Sequence, residues 1–116
     1  MMRTVAFVAT TALLTGGAAL AHHGWGSYDA AHPVTVTGPI QTLKYENPHA
    51  LITVKGSDKM WTVTLAPTSR MDSRGANAKV VTVGKTVTAF GYPSMVEKDE
   101  MRAERITVDG KTFELR

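Results

Sequence analysis

Residues 60–69 read MWTVTLAPTS, and the pattern of these ten residues changes half-way along. The first part alternates apolar residues with threonines, which places Trp61, Val63 and Leu65 on one face of an extended chain. We therefore predict a half-buried strand over residues 60–66. The proline at position 67 and the two hydroxyl residues after it are typical of a helix start, and Gly75 is typical of a helix end.

Further short strands are predicted on both sides of this stretch. Threonine and valine often alternate from residue 34 onward, and Gly, Pro, Asn and Asp separate the runs. The predicted strands cover residues 34–45, 50–54, 60–66, 86–92 and 101–108. The first bends at Gly38 and Pro39, where the missing N–H of proline indicates a sheet edge or a bulge. Asp109 and Gly110 predict a tight hairpin that returns along residues 111–115.

The order of these elements predicts the fold. Five strands with one short helix between the third and the fourth are typical of a small, all-β, OB-like barrel. Another small β-sandwich or barrel is the alternative. We assign residues 34–116 to this domain and residues 22–33 to an N-terminal leader.

Residues 1–21 resemble a cleaved secretory signal peptide. Arg3 is their only charge, residues 5–14 are apolar apart from two threonines, and residues 19–21 read ALA, an A-x-A cleavage site. The apolar run is short for a membrane span, and an uncleaved anchor is the alternative. We expect a periplasmic or secreted protein with no stable membrane anchor after cleavage.

Charge and cysteine content restrict the chemistry. The mature part keeps 12 of the 13 Lys and Arg residues against 10 Asp and Glu, and this weak balance neither favours nor excludes a charged partner. Export makes a nucleic acid an unexpected partner. Because the chain has no cysteine, disulfides and thiolate metal sites are excluded.

Several motifs resemble a family of small exported bacterial proteins that is catalogued as a domain of unknown function. They are HHGW at residues 22–25, YENPH at 45–49, VGKTV at 83–87, GYP at 91–93, MRAE at 101–104 and DGK at 109–111. The resemblance covers nearly the whole mature chain. It implies a periplasmic address and a small β-barrel, and it supplies no established activity.

The histidines suggest a metal site at the mature N-terminus. If cleavage follows Ala21, the α-amine and the Nδ1 atom of His22 can chelate one ion, and a second imidazole completes a three-nitrogen set that suits Cu(II). We predict that His22 binds copper with His49, and that His23 is a third or substitute ligand. Cleavage after Ala19 or Leu20 would place a histidine third, which is also a copper-binding arrangement.

Each of these residues also has a simpler interpretation. His22 and His23 can belong to a flexible polar leader, His49 can be a structural turn residue, and His32 is expected in a loop. Trp25 and Tyr28 are expected to pin the leader to the barrel by burial, or to shield a metal or ligand from water.

Structural roles are the first explanation for the methionines, the charge run and the helix arginines. We expect the four mature methionines to pack in the core. The charge run at residues 97–100 suits a solvated hairpin tip. Arg70 and Arg74 suit an exposed helix face, with a weak anion site as the alternative.

These observations predict a periplasmic copper-binding protein, a chaperone or a buffer. Its partners would be the metal ion and an envelope protein. The alternative is a non-metal OB-type binding module for a small ligand, a glycan or an envelope protein. We expect no enzyme, since the chain lacks the G-x-S-x-G and H-E-x-x-H motifs. A redox enzyme with an N-terminal copper site is the one enzymatic alternative.

Overall fold

The computed structural model describes residues 24–116, so His22, His23 and the predicted signal peptide at residues 1–21 lie outside the described residues. A short 3-10 turn at Trp25–Ser27 comes first. The later elements are β1 (Val34–Lys44), β2 (Leu51–Lys55), β3 (Met60–Thr64), α1 (Thr68–Ser73), β4 (Thr86–Pro93), β5 (Glu100–Val108) and β6 (Lys111–Glu114).

The six strands form one sheet in the order β3-β2-β1-β4-β5-β6, with antiparallel neighbours. β3 also pairs in parallel with β5, and Thr64 lies opposite Arg102 in this register. The extra pairing closes β1 to β5 into a five-stranded barrel, and β6 extends the sheet beyond β5. The predicted all-β, OB-like barrel with one short helix between its third and fourth strands is confirmed.

β1 takes part in both halves of the barrel because it changes its partner along its length. Its first half pairs with β4 and its second half pairs with β2, and the register shifts between Ile40 and Thr42. Gly38 lies at a close approach of two strands, since a Cβ there would lie 2.0 Å from the carbonyl oxygen of Lys55. The bend predicted at Gly38 and Pro39 thus falls beside the change of partner.

The barrel interior holds the apolar face predicted for the third strand. Trp61, Val63 and Leu65 are 9%, 0% and 1% exposed, and burial of such a side chain contributes about 1.5–3 kcal/mol. Met71 of α1 and Met101 of β5 are also fully buried. Met60 and Met95 are exposed, so core packing explains only half of the four methionines in residues 24–116.

The predicted turns have the backbone that their residues favour. Gly75 follows α1 with a φ of 86°, and Asp109 and Gly110 have φ values of 50° and 76° between β5 and β6. Positive φ at both central residues is the requirement of the type I′ hairpin turn. Within residues 24–116, no helix is long and apolar enough to cross a membrane.

Candidate functional site

Two loops and the start of β5 meet on one side of the barrel. Leu51, which follows the β1–β2 loop directly, pairs with Thr64 of β3, and Thr64 pairs with Arg102 of β5. The β4–β5 loop lies beside them, because Thr62 donates its N–H to the carbonyl of Asp99 at 2.9 Å. In OB folds these two loops, together with the second and third strands, form the usual ligand-binding region.

Arg102 occupies the centre of this region and is only 8% exposed. Its guanidinium carbon lies 4.1 Å from the ring centroid of Trp25 and 6.0 Å from that of Tyr28. The Nη2 atom donates to Nε2 of His49 at 3.4 Å, while the buried Nε atom has no hydrogen-bond partner among residues 24–116. The guanidinium of Arg116 also contacts the Trp25 ring, at 4.5 Å. We call Trp25, Tyr28, His49, Arg102 and Arg116 the Arg102 cluster.

Within residues 24–116, no carboxylate neutralises the positive charge of Arg102 at contact distance. None of the ion pairs in the described part of the chain includes it. Burial lowers the pKa of the Arg102 guanidinium, and the positive charges of Arg70 and Arg116 lower it further, against the opposing effects of Tyr28 and Glu100. Since an arginine remains charged in proteins, this site holds a buried cation.

The nearby carboxylates are occupied by other donors. Oε2 of Glu100 accepts hydrogen bonds from the Tyr28 hydroxyl at 2.7 Å and from Thr64 Oγ1 at 3.1 Å. Burial raises the pKa of Tyr28 well above its usual value, and the Glu100 carboxylate raises it further. The hydroxyl therefore keeps its proton and remains a donor to Glu100.

Glu104 is shared in a similar way. It accepts hydrogen bonds from the Tyr92 hydroxyl at 3.3 Å, from Arg105 at 3.1 Å and from Arg116 at 3.3 Å. Arg105 also pairs with Glu114 at 3.0 Å. Arg105 thus has two carboxylate partners, whereas Arg102 on the same strand has none within residues 24–116.

His49 lies in the β1–β2 loop directly after the cis peptide bond between Asn47 and Pro48. A guanidinium has no acceptor, so its hydrogen bond to Nε2 requires that this nitrogen carry a lone pair and that the ring be neutral. A metal ion at the same nitrogen would compete with Arg102 and would meet its positive charge. The geometry favours a structural contact between this loop and β5.

The segment before β1 is attached to the barrel through backbone and ring contacts. Tyr28 is 7% exposed and forms an isolated bridge with Ser94, and Met95 donates its N–H to the carbonyl of Ser27 at 3.0 Å. The Trp25 ring lies 6.3 Å from Tyr28 and 6.1 Å from Tyr92. Trp25 and Tyr28 pack onto the barrel as expected, and they do so over Arg102.

Of the three predicted metal ligands, His49 alone lies within the described part of the chain. His22 and His23 lie outside it, so the pairing of His22 with His49 stays a prediction. His32 lies in a loop, its side chain is 78% exposed, and its Nδ1 atom contacts Asp29 at 2.8 Å. Residues 24–116 contain no group of three metal-binding side chains.

Sequence reasoning missed Arg102 and Arg116 as members of a site. Arg102 alternates with the buried Met101 and Ala103, so a strand pattern places it on the outer face of the barrel. Nothing local indicates that a segment more than seventy residues earlier covers that face. Arg70 and Arg74 lie on an exposed face of α1, as predicted, and donate to the carbonyls of Leu115 and Arg116.

A separate groove lies between the start of β1 and the β2–β3 hairpin, with a volume of about 370 Å³. Its lining includes Thr35, Thr37, Ser57, Asp58 and Trp61. It contains no arginine or lysine among its lining residues, in contrast to the Arg102 cluster.

Comparison with known proteins identifies the family of this chain. A family model described as "Family of unknown function (DUF6152)" matches residues 11–102, which includes the 3-10 turn, both loops and Arg102. The chain belongs to the DUF6152 family. The sequence resemblance to an uncharacterised family is thereby confirmed, and the family description assigns no activity. No curated protein matches this DUF6152 chain.

A similar fold occurs among solved structures. The crystal structure of TiaS in complex with an isoleucine tRNA and ATP contains a region that matches 70% of this DUF6152 chain at 13% sequence identity, with a TM-score of 0.51. The match covers 19% of that other chain, so this protein spans about one fifth of its length. At this identity the likeness extends to the fold alone.

Proposed function

We propose that this protein is a non-metal, OB-type binding module whose ligand binds at the Arg102 cluster. The observation that carries the proposal is the buried guanidinium of Arg102, which is 8% exposed and lacks a carboxylate at contact distance within residues 24–116. An uncompensated buried charge lowers the stability of a fold, so its presence points to a role in binding.

The position of the cluster supports the same proposal. It lies where the β1–β2 and β4–β5 loops approach β3, and the corresponding region of other OB folds binds extended polymers and small ligands. Trp25, Tyr28 and Tyr92 provide aromatic surface beside the arginines. Aromatic rings next to fixed hydrogen-bond donors suit a glycan, a small ligand or a segment of an envelope protein.

Amide chemical-shift mapping by NMR tests where ligands bind. The probes are a neutral N-acetylglucosamine oligomer, a short neutral peptide, inorganic phosphate and citrate, each added to the uniformly ¹⁵N-labelled mature chain. We expect at least one probe to shift the amides of residues 45–50, 94–99 and 102 in a saturable manner. Shifts confined to the groove at residues 34–37 and 56–58, or no saturable shift with any probe, would overturn the proposal.

We propose the periplasm as the location, on the strength of the A-x-A sequence at residues 19–21. The intact mass of untagged protein from a periplasmic extract gives the mature N-terminus. A mass that begins at residue 20, 21 or 22 supports export. Protein that keeps residues 1–21 and stays in the cytoplasmic fraction contradicts it.

Copper binding by the mature N-terminus is the second candidate. Gly24, which directly follows His23, belongs to the segment that packs over Arg102, and Arg102 contacts His49. The start of the described chain is therefore connected to His49 through the Trp25 and Arg102 contacts. The positive charge of Arg102 beside Nε2 of His49 counts against a cation there, and for this reason we rank copper second.

Native mass spectrometry of untagged protein separates the two candidates. One copper per mature chain, lost in His22→Ala and weakened in His49→Gln, would support the three-nitrogen site. Copper binding that is lost in His22→Ala and unchanged in His49→Gln would restrict the site to the N-terminus. A mass that stays metal-free after stoichiometric copper is added would remove the metal proposal.

A further inference from the structure

Two further arginines, Arg70 and Arg116, act on the charge of Arg102. Neither Arg70 nor Arg102 has a carboxylate partner within residues 24–116. Arg70 donates to the carbonyl of Leu115 at 3.4 Å. Arg116 pairs with Glu104 at 3.3 Å, and its side chain is 55% exposed. Both other arginines act electrostatically on Arg102, and Glu100 opposes their effect.

Within residues 24–116, the acidic side chains near Arg102 do not pair with it at contact distance. Glu100 is held by Tyr28 and Thr64, and Glu104 is shared between Arg105 and Arg116. Both carboxylates already accept hydrogen bonds from other side chains, so neither needs Arg102 as a donor. An external anion would supply the negative charge that no side chain of residues 24–116 places in contact with Arg102.

The guanidinium of Arg102 is held in place for such a ligand. Stacking on Trp25 at 4.1 Å and the hydrogen bond to His49 restrict the rotation of Arg102 in the unliganded protein. A planar guanidinium offers five N–H donors in a fork that fits a carboxylate or phosphate group, and the Arg102 fork makes one side-chain hydrogen bond within residues 24–116.

We propose that the ligand of the Arg102 cluster is an oxyanion, a carboxylate or phosphate group, held by Arg102 with Arg70 and Arg116 beside it. This inference rests on the proposed function and specifies its ligand class. Because Arg102 is 8% exposed beneath Trp25, the anion reaches it only when the indole ring shifts. Binding therefore changes the environment of Trp25, one of the two tryptophans in the chain.

Titration at constant ionic strength tests the inference. Inorganic phosphate and citrate are added separately to the ¹⁵N-labelled mature chain, with sodium chloride as the reference salt. We expect saturable shifts of the Arg102 Nε–H resonance and a change in tryptophan emission. Saturation with phosphate alone or with citrate alone identifies the preferred oxyanion, and either outcome supports the inference.

Arg102→Gln is expected to weaken binding about tenfold or more, because a charge-assisted hydrogen-bonding group is removed. Arg105→Gln is the matched control, since Arg105 lies on the same strand, stacks on Phe90 at 4.6 Å and has carboxylate partners. We expect this control to bind within about twofold of the wild type, as surface pairs contribute little. Arg70→Gln removes a neighbouring positive charge from an exposed position, so it serves as the test if Arg102→Gln fails to fold. It is expected to weaken binding severalfold.

The possible results separate this inference from the proposed function. Saturable binding of the neutral oligosaccharide or peptide at residues 45–50 and 94–99, without any effect of phosphate or citrate, overturns the oxyanion inference and leaves the binding module in place. Equal weakening in Arg105→Gln and Arg102→Gln also overturns it, because general charge would then explain binding. Failure of every probe at this site overturns both proposals.

Discussion

Replacement of Arg102 by methionine is expected to make the protein more stable. Methionine keeps much of the length of the arginine side chain and can pack against Trp25, but it carries no charge. In most proteins the loss of a buried polar contact is destabilising. The opposite sign is predicted here, because the buried guanidinium has an unpaired Nε atom and no carboxylate at contact distance within residues 24–116.

The expected change in the free energy of unfolding follows from the contacts that Arg102→Met loses and the burial costs that it removes. The stacking of Arg102 on Trp25 at 4.1 Å and the long hydrogen bond to His49 at 3.4 Å are lost. Together they contribute about 1.5 kcal/mol. The buried, unpaired Nε atom costs about 2 kcal/mol. Glu100 opposes the repulsion by Arg70 and Arg116, so no net repulsion is counted. The net gain in the free energy of unfolding is about 0.5 kcal/mol.

Thermal unfolding followed by circular dichroism measures this gain. For a domain of this size, about 0.5 kcal/mol raises Tm by about 2–4 °C. The buffer is Tris chloride at low salt, because phosphate would stabilise the wild type if it binds. Arg105→Met is the matched control, and its loss of the Glu104 and Glu114 partners is expected to lower stability by less than about 1 kcal/mol.

The reasoning is refuted if Arg102→Met lowers the free energy of unfolding by about 1 kcal/mol or more, on the order of one lost hydrogen bond. Arg102 would then be a structural residue whose contacts outweigh its burial cost. The same variant also loses the proposed anion site. A protein that is more stable and no longer responds to phosphate or citrate would match the trade-off expected at a binding site.

Gly91→Ala should lower the free energy of unfolding by about 2 kcal/mol or more in urea titrations, because its Cβ would lie 1.9 Å from the Arg102 carbonyl oxygen. Gly26→Ala, with no atom within 4 Å of its Cβ, should change it by less than about 0.5 kcal/mol; equal losses would contradict the packing argument. Burial and then Asp72 raise the pKa of Tyr45 to about 12 from 10.0. Its stabilising effect is therefore complete below pH 10 and lost as pH rises toward 12, and Tyr45→Phe should flatten this part of the urea-midpoint profile; an unchanged profile would exclude this tyrosine as the cause.

The fold could be predicted because its signals are local. Alternation at residues 60–66 reports which side chains of β3 face the interior, and Trp61 and Val63 are buried as that pattern requires. Asp109 and Gly110 favour positive φ, which is sufficient to predict the hairpin between β5 and β6. Gly75 ends α1 for the same conformational reason.

The site was predicted only in part. His49, Trp25 and Tyr28 were selected from their residue types, and all three belong to the Arg102 cluster. For His49 we predicted copper binding or a structural turn, and for Trp25 and Tyr28 burial against the barrel or shielding of a ligand. The described contacts link all three side chains to Arg102. Arg102 was not predicted as a site residue because an arginine at an outward position of a strand is normally solvated. Its burial depends on Trp25, a residue distant in sequence.

The sequence alone determined an all-β barrel, the order of its strands along the chain and the position of its helix, because periodicity and turn chemistry act over a few residues. It also carries the signal-like residues 1–21, which the structure does not describe. Only the tertiary structure decided where the charges meet. The parallel register of β3 with β5 and the packing of Trp25 over Arg102 bring distant residues together. No local pattern encodes such a contact, since it depends on how the closed barrel folds back on itself.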